Sequence, residues 1–162
     1  MDSEIKRRLE QIRLLALDVD GVLTDGGVYV LEDGTEFRRF DIKDGLGLKR
    51  VMEAGIEVAI ISASSSQAVV HRAQHLGIQR IHLVDEDKLA DLCALCDELG
   101  LSLADVAYMG DDLTDLPVLE KVGLALAPAD AIQEVREVAH ITTVSRGGHG
   151  AVRSSQAARM VT

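Results

Sequence analysis

Acidic residues cluster at two points of the sequence where a buried strand is predicted to end. Asp18 and Asp20 follow an apolar run over residues 14–17, and Asp111 and Asp112 follow a second such run. Continuous apolar runs are typical of strands buried on both faces of a parallel sheet, where ligands bind at the carboxyl ends of the strands. If the two strands are neighbours, their carboxylates converge, and a hard cation such as Mg²⁺ is needed to stabilise them. The alternative is a solvated acidic turn, which we favour for one such cluster but not for two.

A hydroxyl group and an amine accompany the carboxylates. Ser62 ends another apolar strand and opens the hydroxyl-rich turn 62–66 before a helix, and a helix N-terminus placed there can bind a phosphate. The alternative is a helix N-cap, the commoner reason for a serine run at a helix start. Lys88 supplies the positive charge that a transferring phosphoryl group needs. Together these residue types indicate phosphoryl-transfer chemistry.

Strands and helices alternate along the chain, which predicts an α/β fold with a doubly wound parallel sheet and right-handed crossovers. The 162 residues suffice for one domain with a substantial core, so we expect a single domain over 1–162. Helices are predicted over 67–76 and 88–99, and over 44–55 with Asp44 as the N-cap. With two Tyr, two Phe and no Trp, the core must consist of aliphatic side chains.

An insertion over about 27–41 separates the first strand of the sheet from the helix that follows it. Two β-rich runs flank Glu32-Asp33-Gly34, a strong hairpin signal, and the segment carries Tyr29, Phe37 and Phe40. An isolated hairpin is marginally stable in water. We therefore expect it to pair with the hairpins of other subunits, which would cover its edges and its apolar face.

The amino-acid composition limits which partners the protein can bind and indicates the cell compartment in which it works. The net charge of −10, from 17 basic and 27 acidic residues, argues against nucleic acid as a partner. No apolar run reaches the length of a membrane span and no signal sequence opens the chain, so we expect a cytoplasmic protein with no membrane partner. Cys93 and Cys96 lie in a segment with helical periodicity and are interpreted as buried reduced thiols rather than a redox pair. His71 and His75 lack a third ligand nearby and are interpreted as a solvated helix face.

The segment 18–24, Asp-Val-Asp-Gly-Val-Leu-Thr, resembles the first motif, DxDGxxT, of the haloacid dehalogenase-like phosphohydrolases. Ser62, Lys88 and the Gly-Asp-Asp sequence at 110–112 follow in the order and spacing of the other three motifs, and the likeness spans nearly the whole chain. The sequence is most similar to the small capless members that hydrolyse sugar-acid phosphates, the 3-deoxy-D-manno-octulosonate 8-phosphate phosphatase family. The resemblance implies a Rossmann-like core with a hairpin insertion and no large cap. It also implies a homotetramer in which the hairpin covers a neighbour's site.

The activity implied by the resemblance is Mg²⁺-dependent hydrolysis of a phosphorylated 2-keto-3-deoxy sugar acid. Asp18 corresponds to the nucleophile that forms an aspartyl-phosphate, and Asp20 to the general acid that later acts as the base. The metal ligands would be Asp18, the backbone carbonyl of Asp20, and Asp111. Lys88 corresponds to the catalytic lysine, and Ser62 to the hydroxyl that binds the phosphate.

The resemblance extends to residues around these positions. Ala63 and Gly45 correspond to residues that bind substrate or phosphate. Asp112 and Asp115 would orient water or shape the loop that carries the metal ligand.

The chain departs from the family pattern in the second motif. Those phosphatases usually carry Thr-Gly-Arg there, with the Arg facing the substrate, whereas this chain has Ser-Ala-Ser at 62–64. The hydroxyl is kept and the Arg is not, so the substrate stays open between an octulosonate 8-phosphate, a related nonulosonate 9-phosphate and another phosphorylated sugar. Arg146 and Arg153 are expected to bind substrate if the tail reaches a neighbouring site, since His149 stands where an Arg is common.

Two further alternatives stay open. The glycine-rich segment 147–150 either presents backbone amides to an anion or is a flexible loop before a terminal helix. The protein could also be non-catalytic: a phospho-acceptor domain, or a regulatory or assembly subunit on the same fold. Asp20, two residues after the acceptor Asp18, argues for rapid turnover of an aspartyl-phosphate and therefore for an enzyme.

Overall fold

The computed structural model describes residues 2–84 and 87–155. Within these ranges eight short strands are present, six of them in one sheet and two in a hairpin. The strands are β1 (Leu14–Leu17), β2 (Tyr29–Val30), β3 (Glu36–Phe37), β4 (Glu57–Ser62), β5 (Arg80–Leu83), β6 (Val106–Met109), β7 (Leu124–Ala127) and β8 (Ile141–Thr142). The sheet is parallel throughout, in the order β5-β4-β1-β6-β7-β8.

Helices connect the strands on both faces of the sheet. They are α1 (Ser3–Gln11), α2 (Ile42–Glu53), α3 (Gln67–Leu76), α4 (Lys88–Leu99), α5 (Leu116–Leu119), α6 (Gln133–Val138) and α7 (Ala151–Ser154), with short 3₁₀ helices at Leu103–Asp105 and Leu113–Asp115. The α/β, doubly wound arrangement predicted from the alternating pattern is confirmed.

The central strand β1 divides the core in two, because its side chains alternate between the faces of the sheet. Leu15 and Leu17 pack with α1, α2, α3 and α7 on one face, and Leu14 and Ala16 pack with α4, α5 and α6 on the other. All four residues are fully buried. This explains the uninterrupted apolar run, and it leaves polar side chains only where the strand ends.

The predicted insertion is a hairpin. β2 and β3 pair in antiparallel register, with Tyr29 opposite Phe37 and their rings stacked at a centroid distance of 4.9 Å. The apolar side chains of this hairpin are about half exposed or more, including Val30 at 62% and Leu31 at 52%. Phe40, by contrast, packs against the core and forms a β-bridge with Thr24. The hairpin is thus attached at its base and exposed along its length.

The prediction for the start of α2 was wrong. The N-cap is Asp41, whose Oδ1 accepts hydrogen bonds from the amides of Lys43 and Asp44 at 2.7 and 3.2 Å. Asp44 lies inside the helix with its carboxylate buried. Both residues are suitable caps by type, and the extended backbone at Asp41 decides between them.

The prediction of buried reduced thiols is confirmed for Cys96 and only in part for Cys93. Both are free thiols on α4, but Cys93 is half-buried, whereas Cys96 is buried and its burial raises its pKa. His71 and His75 are exposed on α3. Among the described residues, none of the helices has both the length and the apolar character needed to cross a bilayer.

Candidate active site

The two acidic clusters meet because their strands are neighbours. Leu17 pairs with Met109 at the ends of β1 and β6, and the amide of Asp18 extends this pairing by donating to the Met109 carbonyl at 3.0 Å. A cavity of about 270 Å³ opens at this edge of the sheet. The predicted site residues that line it are Asp18, Asp20, Ser62, Ala63, Lys88, Asp111 and Asp112.

Three carboxylates and one lysine form the buried part of the site. Oxygen atoms of Asp18, Asp111 and Asp115 lie within 4.8 Å of one another. Lys88, the first residue of α4, places its Nζ 3.2 Å from Asp18 Oδ2 and 2.8 Å from Asp115 Oδ1. Burial lowers the pKa of Lys88, but the charges of Asp18 and Asp115 outweigh this effect and leave its pKa above the ordinary value. The lysine therefore stays charged between its two partners.

Asp115 is the structural carboxylate of the group. Its Oδ1 also accepts a hydrogen bond from the hydroxyl of Tyr108 at 2.7 Å, and its Oδ2 accepts from the amides of Asp111 and Asp112 at 2.9 and 3.2 Å. Asp115 is fully buried. Its hydrogen bonds hold the loop after β6 in place. Of the two roles expected for Asp115, orienting water or shaping this loop, the contacts fit the second.

Asp111 lacks the partners that Asp115 has. Its Oδ1 is buried and has no hydrogen-bond partner among the described residues. Burial, followed by the charges of Asp18 and Asp115, raises its pKa to about 8. Burial and the charge of Asp115 likewise raise the pKa of Asp18 to about 6, against the opposing effect of Lys88. Two facing carboxylates that resist ionisation, with oxygen donors only, fit a hard divalent cation.

The loop after β1 brings its backbone close to this cluster. Gly21 has a φ of +84°, and a side chain there would overlap the Asp111 carboxylate. Thr24 is buried, and its hydroxyl oxygen accepts hydrogen bonds from the amides of Gly21 and Gly26, both at 3.2 Å. Gly21 and Thr24 of the first motif are therefore needed for local structure, because together they allow a tight loop to pack against Asp111.

The side chain of Asp20 is separate from the buried carboxylates. Its Oδ1 accepts a hydrogen bond from Arg38 Nε at 2.8 Å, and its side chain is 37% exposed at the cavity. The sequence analysis missed Arg38, which lies 18 positions away. The hairpin signal was the clue that could have found it, because a hairpin over 27–41 returns the chain to the first loop.

The hydroxyl-rich turn after β4 presents Ser62 to the cavity. Ser62 is buried, and its Oγ accepts a hydrogen bond from the Ser64 amide at 3.2 Å, which leaves the hydroxyl proton free to be donated to a ligand. Ser66 precedes α3 and makes no side-chain cap hydrogen bond. The N-cap alternative for the serine run therefore does not account for Ser62.

Three predicted substrate residues do not lie at this cavity. Gly45 faces Arg72 and Leu76 of α3. Arg153 packs along Gly47 of α2, and the side chain of Arg146 is 74% exposed. Within the described part of the chain, the structure does not bring these residues to the site of their own subunit.

The glycine-rich tail is neither an anion cradle nor an unattached loop. The amide of Gly147 donates to Asp130 Oδ1 at 2.9 Å, that of Gly148 to the Val22 carbonyl at 3.0 Å, and that of Gly150 to Asp44 Oδ2 at 3.1 Å. These amides are thus used within the chain. The tail packs directly on the loop after β1, where a side chain at Gly147 or Gly148 would overlap backbone atoms.

The fold and this site are those of a haloacid dehalogenase-like hydrolase, in which strand ends present carboxylates, a lysine and a hydroxyl around one cavity. A sequence profile described as haloacid dehalogenase-like hydrolase matches residues 81–153. The 3-deoxy-D-manno-octulosonate 8-phosphate phosphatase of Escherichia coli is 41% identical over 153 residues, covering 94% of this chain and 81% of the relative.

Solved structures agree with this similarity. The Moraxella catarrhalis 3-deoxy-D-manno-octulosonate 8-phosphate phosphatase, crystallised with magnesium, phosphate and KDO, has a TM-score of 0.94 and 38% identity, over 99% of this chain and 91% of that one. The cobalt-bound Haemophilus influenzae enzyme has a TM-score of 0.88 and 34% identity, over 95% and 89%. The chain belongs to the 3-deoxy-D-manno-octulosonate 8-phosphate phosphatase family of haloacid dehalogenase-like hydrolases.

Proposed function

We propose that this protein is an Mg²⁺-dependent phosphatase that hydrolyses 3-deoxy-D-manno-octulosonate 8-phosphate or a related nonulosonate 9-phosphate. The observation that carries the proposal is the convergence of Asp18 and Asp111 at one cavity, with Lys88 and Ser62 beside them. One carboxylate oxygen of Asp111 has no hydrogen-bond partner in the part of the chain that the structure describes. The relatives and solved structures described above support the substrate class.

In the proposed reaction, an oxygen of Asp18 attacks phosphorus, and the ester P–O bond breaks. Asp20 gives its proton to the departing alkoxide, so the sugar leaves as a neutral alcohol and Asp18 carries the phosphoryl group. Water then attacks the aspartyl-phosphate while Asp20 takes its proton. The bond between phosphorus and Asp18 breaks, which releases inorganic phosphate, restores the Asp18 carboxylate and leaves Asp20 protonated for the next cycle.

The surrounding residues hold the phosphoryl group for this attack. Lys88 offers a charged donor beside Asp18, and the free proton of the Ser62 hydroxyl can be donated to a phosphate oxygen. Asp115 keeps Lys88 in place from the buried side. Ala63 lines the cavity next to Ser62.

Asp18, Asp111 and the backbone carbonyl of Asp20 would hold Mg²⁺. When bound, the ion offsets the repulsion between these carboxylates and the dianionic phosphate. The raised pKa values of Asp18 and Asp111 agree with this assignment, because burial and the neighbouring carboxylates outweigh the charge of Lys88 and disfavour both ionised forms.

The identity of the sugar acid depends on groups outside the phosphate site. The turn 62–64 carries no cation, so the substrate carboxylate must meet one elsewhere. Arg146 and Arg153 are our candidates, and they would act on the site of a neighbouring subunit, since neither lines the cavity of its own chain.

We also propose a homotetramer held together by the hairpins, in which each chain is a single capless domain. The exposed apolar side chains of Val28, Tyr29, Val30, Leu31 and Phe37 support this arrangement. Light scattering should give four chains per particle, and a monomer would contradict it.

A cytoplasmic location is supported by the free thiols of Cys93 and Cys96.

The function is tested by measuring phosphate release from octulosonate 8-phosphate, nonulosonate 9-phosphates and ordinary hexose phosphates, each with Mg²⁺ and with EDTA. We expect the sugar-acid phosphates to be hydrolysed fastest, and only with Mg²⁺. Background rates for the whole panel would overturn the proposal. Equal rates for hexose phosphates would overturn the substrate class while leaving the phosphatase activity in place.

A further inference from the structure

We propose that Arg38, in the hairpin insertion, is a positioning residue that orients Asp20 for proton transfer. This inference rests on the proposed function, because it concerns the acid–base step of that reaction. It assigns the base of the hairpin a part in the chemistry of its own chain, in addition to any part in assembly.

The contact itself is short and well shielded. Arg38 Nε donates to Asp20 Oδ1 at 2.8 Å, and the Arg38 side chain is only 7% exposed. A buried guanidinium is stable only when it is paired, and Asp20 is its closest carboxylate. Glu36, in β3 two residues before Arg38, approaches Arg38 Nη1 at 3.5 Å and helps to fix the direction of the guanidinium. The geometry of β3 therefore determines where Asp20 is held.

Asp20 has little else to hold it. Among the described residues, its side chain makes no other hydrogen bond, and it is more exposed than Asp18. With Oδ1 fixed by Arg38, Oδ2 is the oxygen left to give and take a proton at the cavity that Asp20 lines. An acid–base group must lie within hydrogen-bond reach of the leaving oxygen, so losing this anchor should slow proton transfer specifically.

The pairing of Arg38 is incomplete. Its Nη1 is buried and, although Glu36 Oε2 lies 3.5 Å away, it makes no hydrogen bond to any described residue. Buried donors of this kind are rare and are retained where another benefit outweighs the lost hydrogen bond. The guanidinium touches the β1 loop at Asp20, which points to the orientation of that carboxylate as the benefit.

The test compares Arg38→Met with Arg80→Met. Arg80 is a matched control, because its Nε also pairs with a carboxylate, Glu57 at 3.3 Å, but at the start of β5, the opposite edge of the sheet from the site. Arg38→Lys is the rescue variant, since an ammonium group can still pair with Asp20. Melting temperatures of all three variants, measured first, establish that they are folded.

Single-turnover rates with enzyme in excess are then measured for two substrates in Mg²⁺. The sugar-acid phosphate needs a proton on its leaving oxygen, whereas p-nitrophenyl phosphate releases a phenolate that leaves unprotonated. For Arg38→Met we expect the sugar-phosphate rate to fall by roughly 30-fold or more and nitrophenolate release to change by less than about threefold. Arg38→Lys should recover most of the loss, and Arg80→Met should match the wild type with both substrates.

An equal loss with both substrates would overturn the inference, because a general disturbance of the site does not distinguish leaving groups. A rise in KM without a fall in the single-turnover rate would overturn it too, since Arg38 would then be a substrate-binding residue. If the wild-type protein cleaves neither substrate, both the proposed function and this inference are wrong. If the wild type is active but Arg38→Met slows both substrates equally, only the inference is wrong.

Discussion

The two loops that carry the acidic residues are stabilised in different ways. The loop after β6 is held largely from within, because Asp115 accepts hydrogen bonds from the amides of Asp111 and Asp112 only a few positions away, and one further hydrogen bond comes from the Ile132 amide to the Asp111 carbonyl. The loop after β1 depends on distant segments: Arg38 of the hairpin pairs with Asp20, and the amide of Gly148 in the tail donates to that loop. One half of the site is thus encoded locally, and the other half is complete only when the hairpin and the tail are in place.

The largest effect is expected for Asp18→Asn, in the loop after β1. An amide cannot replace the attacking carboxylate, so turnover should fall by at least about 10³-fold. The fold should be kept, because burial already raises the pKa of Asp18 to about 6 and a neutral side chain of the same shape is tolerated there. An assay of phosphate release measures the loss of turnover, and thermal unfolding shows whether the fold is kept. Asp91→Asn, at the surface beside His82, should keep wild-type turnover.

Asp115→Asn tests the locally encoded loop. Asparagine cannot serve Lys88, Tyr108 and the two loop amides at once, and Lys88 would lose one of its two buried counter-charges. The free energy of unfolding should fall by about 3 kcal/mol, measured by urea denaturation. Turnover should also fall, because Lys88 no longer has a fixed position.

Tyr108→Phe is the matched comparison for that loop. It removes one hydrogen bond to Asp115 and should cost about 1 kcal/mol. If Asp115→Asn is no more destabilising than Tyr108→Phe, Asp115 is not the residue that organises the loop.

Gly148→Ala tests the dependence of the β1 loop on the tail. Gly148 has a φ of +67°, and an added Cβ would overlap backbone atoms of Thr24 and Asp25. Gly100 has nearly the same φ, +66°, with open space around it. Gly100→Ala should therefore cost only the backbone strain, about 1 kcal/mol, and leave turnover unchanged.

Gly148→Ala should cost about 2 kcal/mol more than Gly100→Ala in urea denaturation, because the tail and the loop must separate. Turnover should fall by roughly tenfold through displacement of Asp20. Equal behaviour of the two alanine variants would show that the tail does not hold the β1 loop.

The smallest expected effect is the change in stability with pH, and the change that Mg²⁺ makes to it. The pKa values of Asp18 and Asp111, about 6 and about 8, lie above those of an unfolded chain, near 4. Between about pH 4 and pH 8 the native state therefore binds more protons through these two groups. Their contribution to stability is complete at low pH and is lost as the pH rises through this window.

Mg²⁺ takes the place of the proton, so saturating Mg²⁺ should raise the melting temperature more at pH 8 than at pH 6. In Asp111→Asn without metal, stability should fall less between pH 6 and pH 8 than it does in the wild type, and the Mg²⁺ effect should be small. Because the other carboxylates titrate in both proteins, their contribution cancels when the pH dependence of Asp111→Asn is subtracted from that of the wild type. An undiminished Mg²⁺ effect in Asp111→Asn would remove Asp111 from the metal site.

The sequence predicted the locally encoded parts of the molecule well. The apolar runs before Asp18 and Asp111 predicted two buried strands, which the structure shows to be neighbours, and the periodic segments 67–76 and 88–99 match α3 and α4 at both ends. The prediction of a haloacid dehalogenase-like phosphatase is confirmed at the level of fold and family. Each of these features depends on periodicity or on short spacings, which a single sequence displays directly.

The failures concern contacts between residues that are distant in sequence. Asp44 was taken for an N-cap, although its buried carboxylate accepts hydrogen bonds from the amides of Gly150 and Arg153, more than 100 positions away. Arg38 was overlooked for the same reason. Nothing in a local pattern distinguishes a glycine amide that binds an anion from one that binds another segment of the chain, so the tail could not be assigned from the sequence.

The account rests on Asp18 as the residue that receives the phosphoryl group. The most direct measurement is mass spectrometry of peptides from Asp20→Asn, quenched in acid after reaction with p-nitrophenyl phosphate and Mg²⁺. Without the base that activates water, the phosphoryl group should accumulate on the peptide that contains Asp18, and Asp18→Asn should carry none. A phosphoryl group on a different residue, or an Asp18→Asn protein that still turns over at the wild-type rate, would contradict the account.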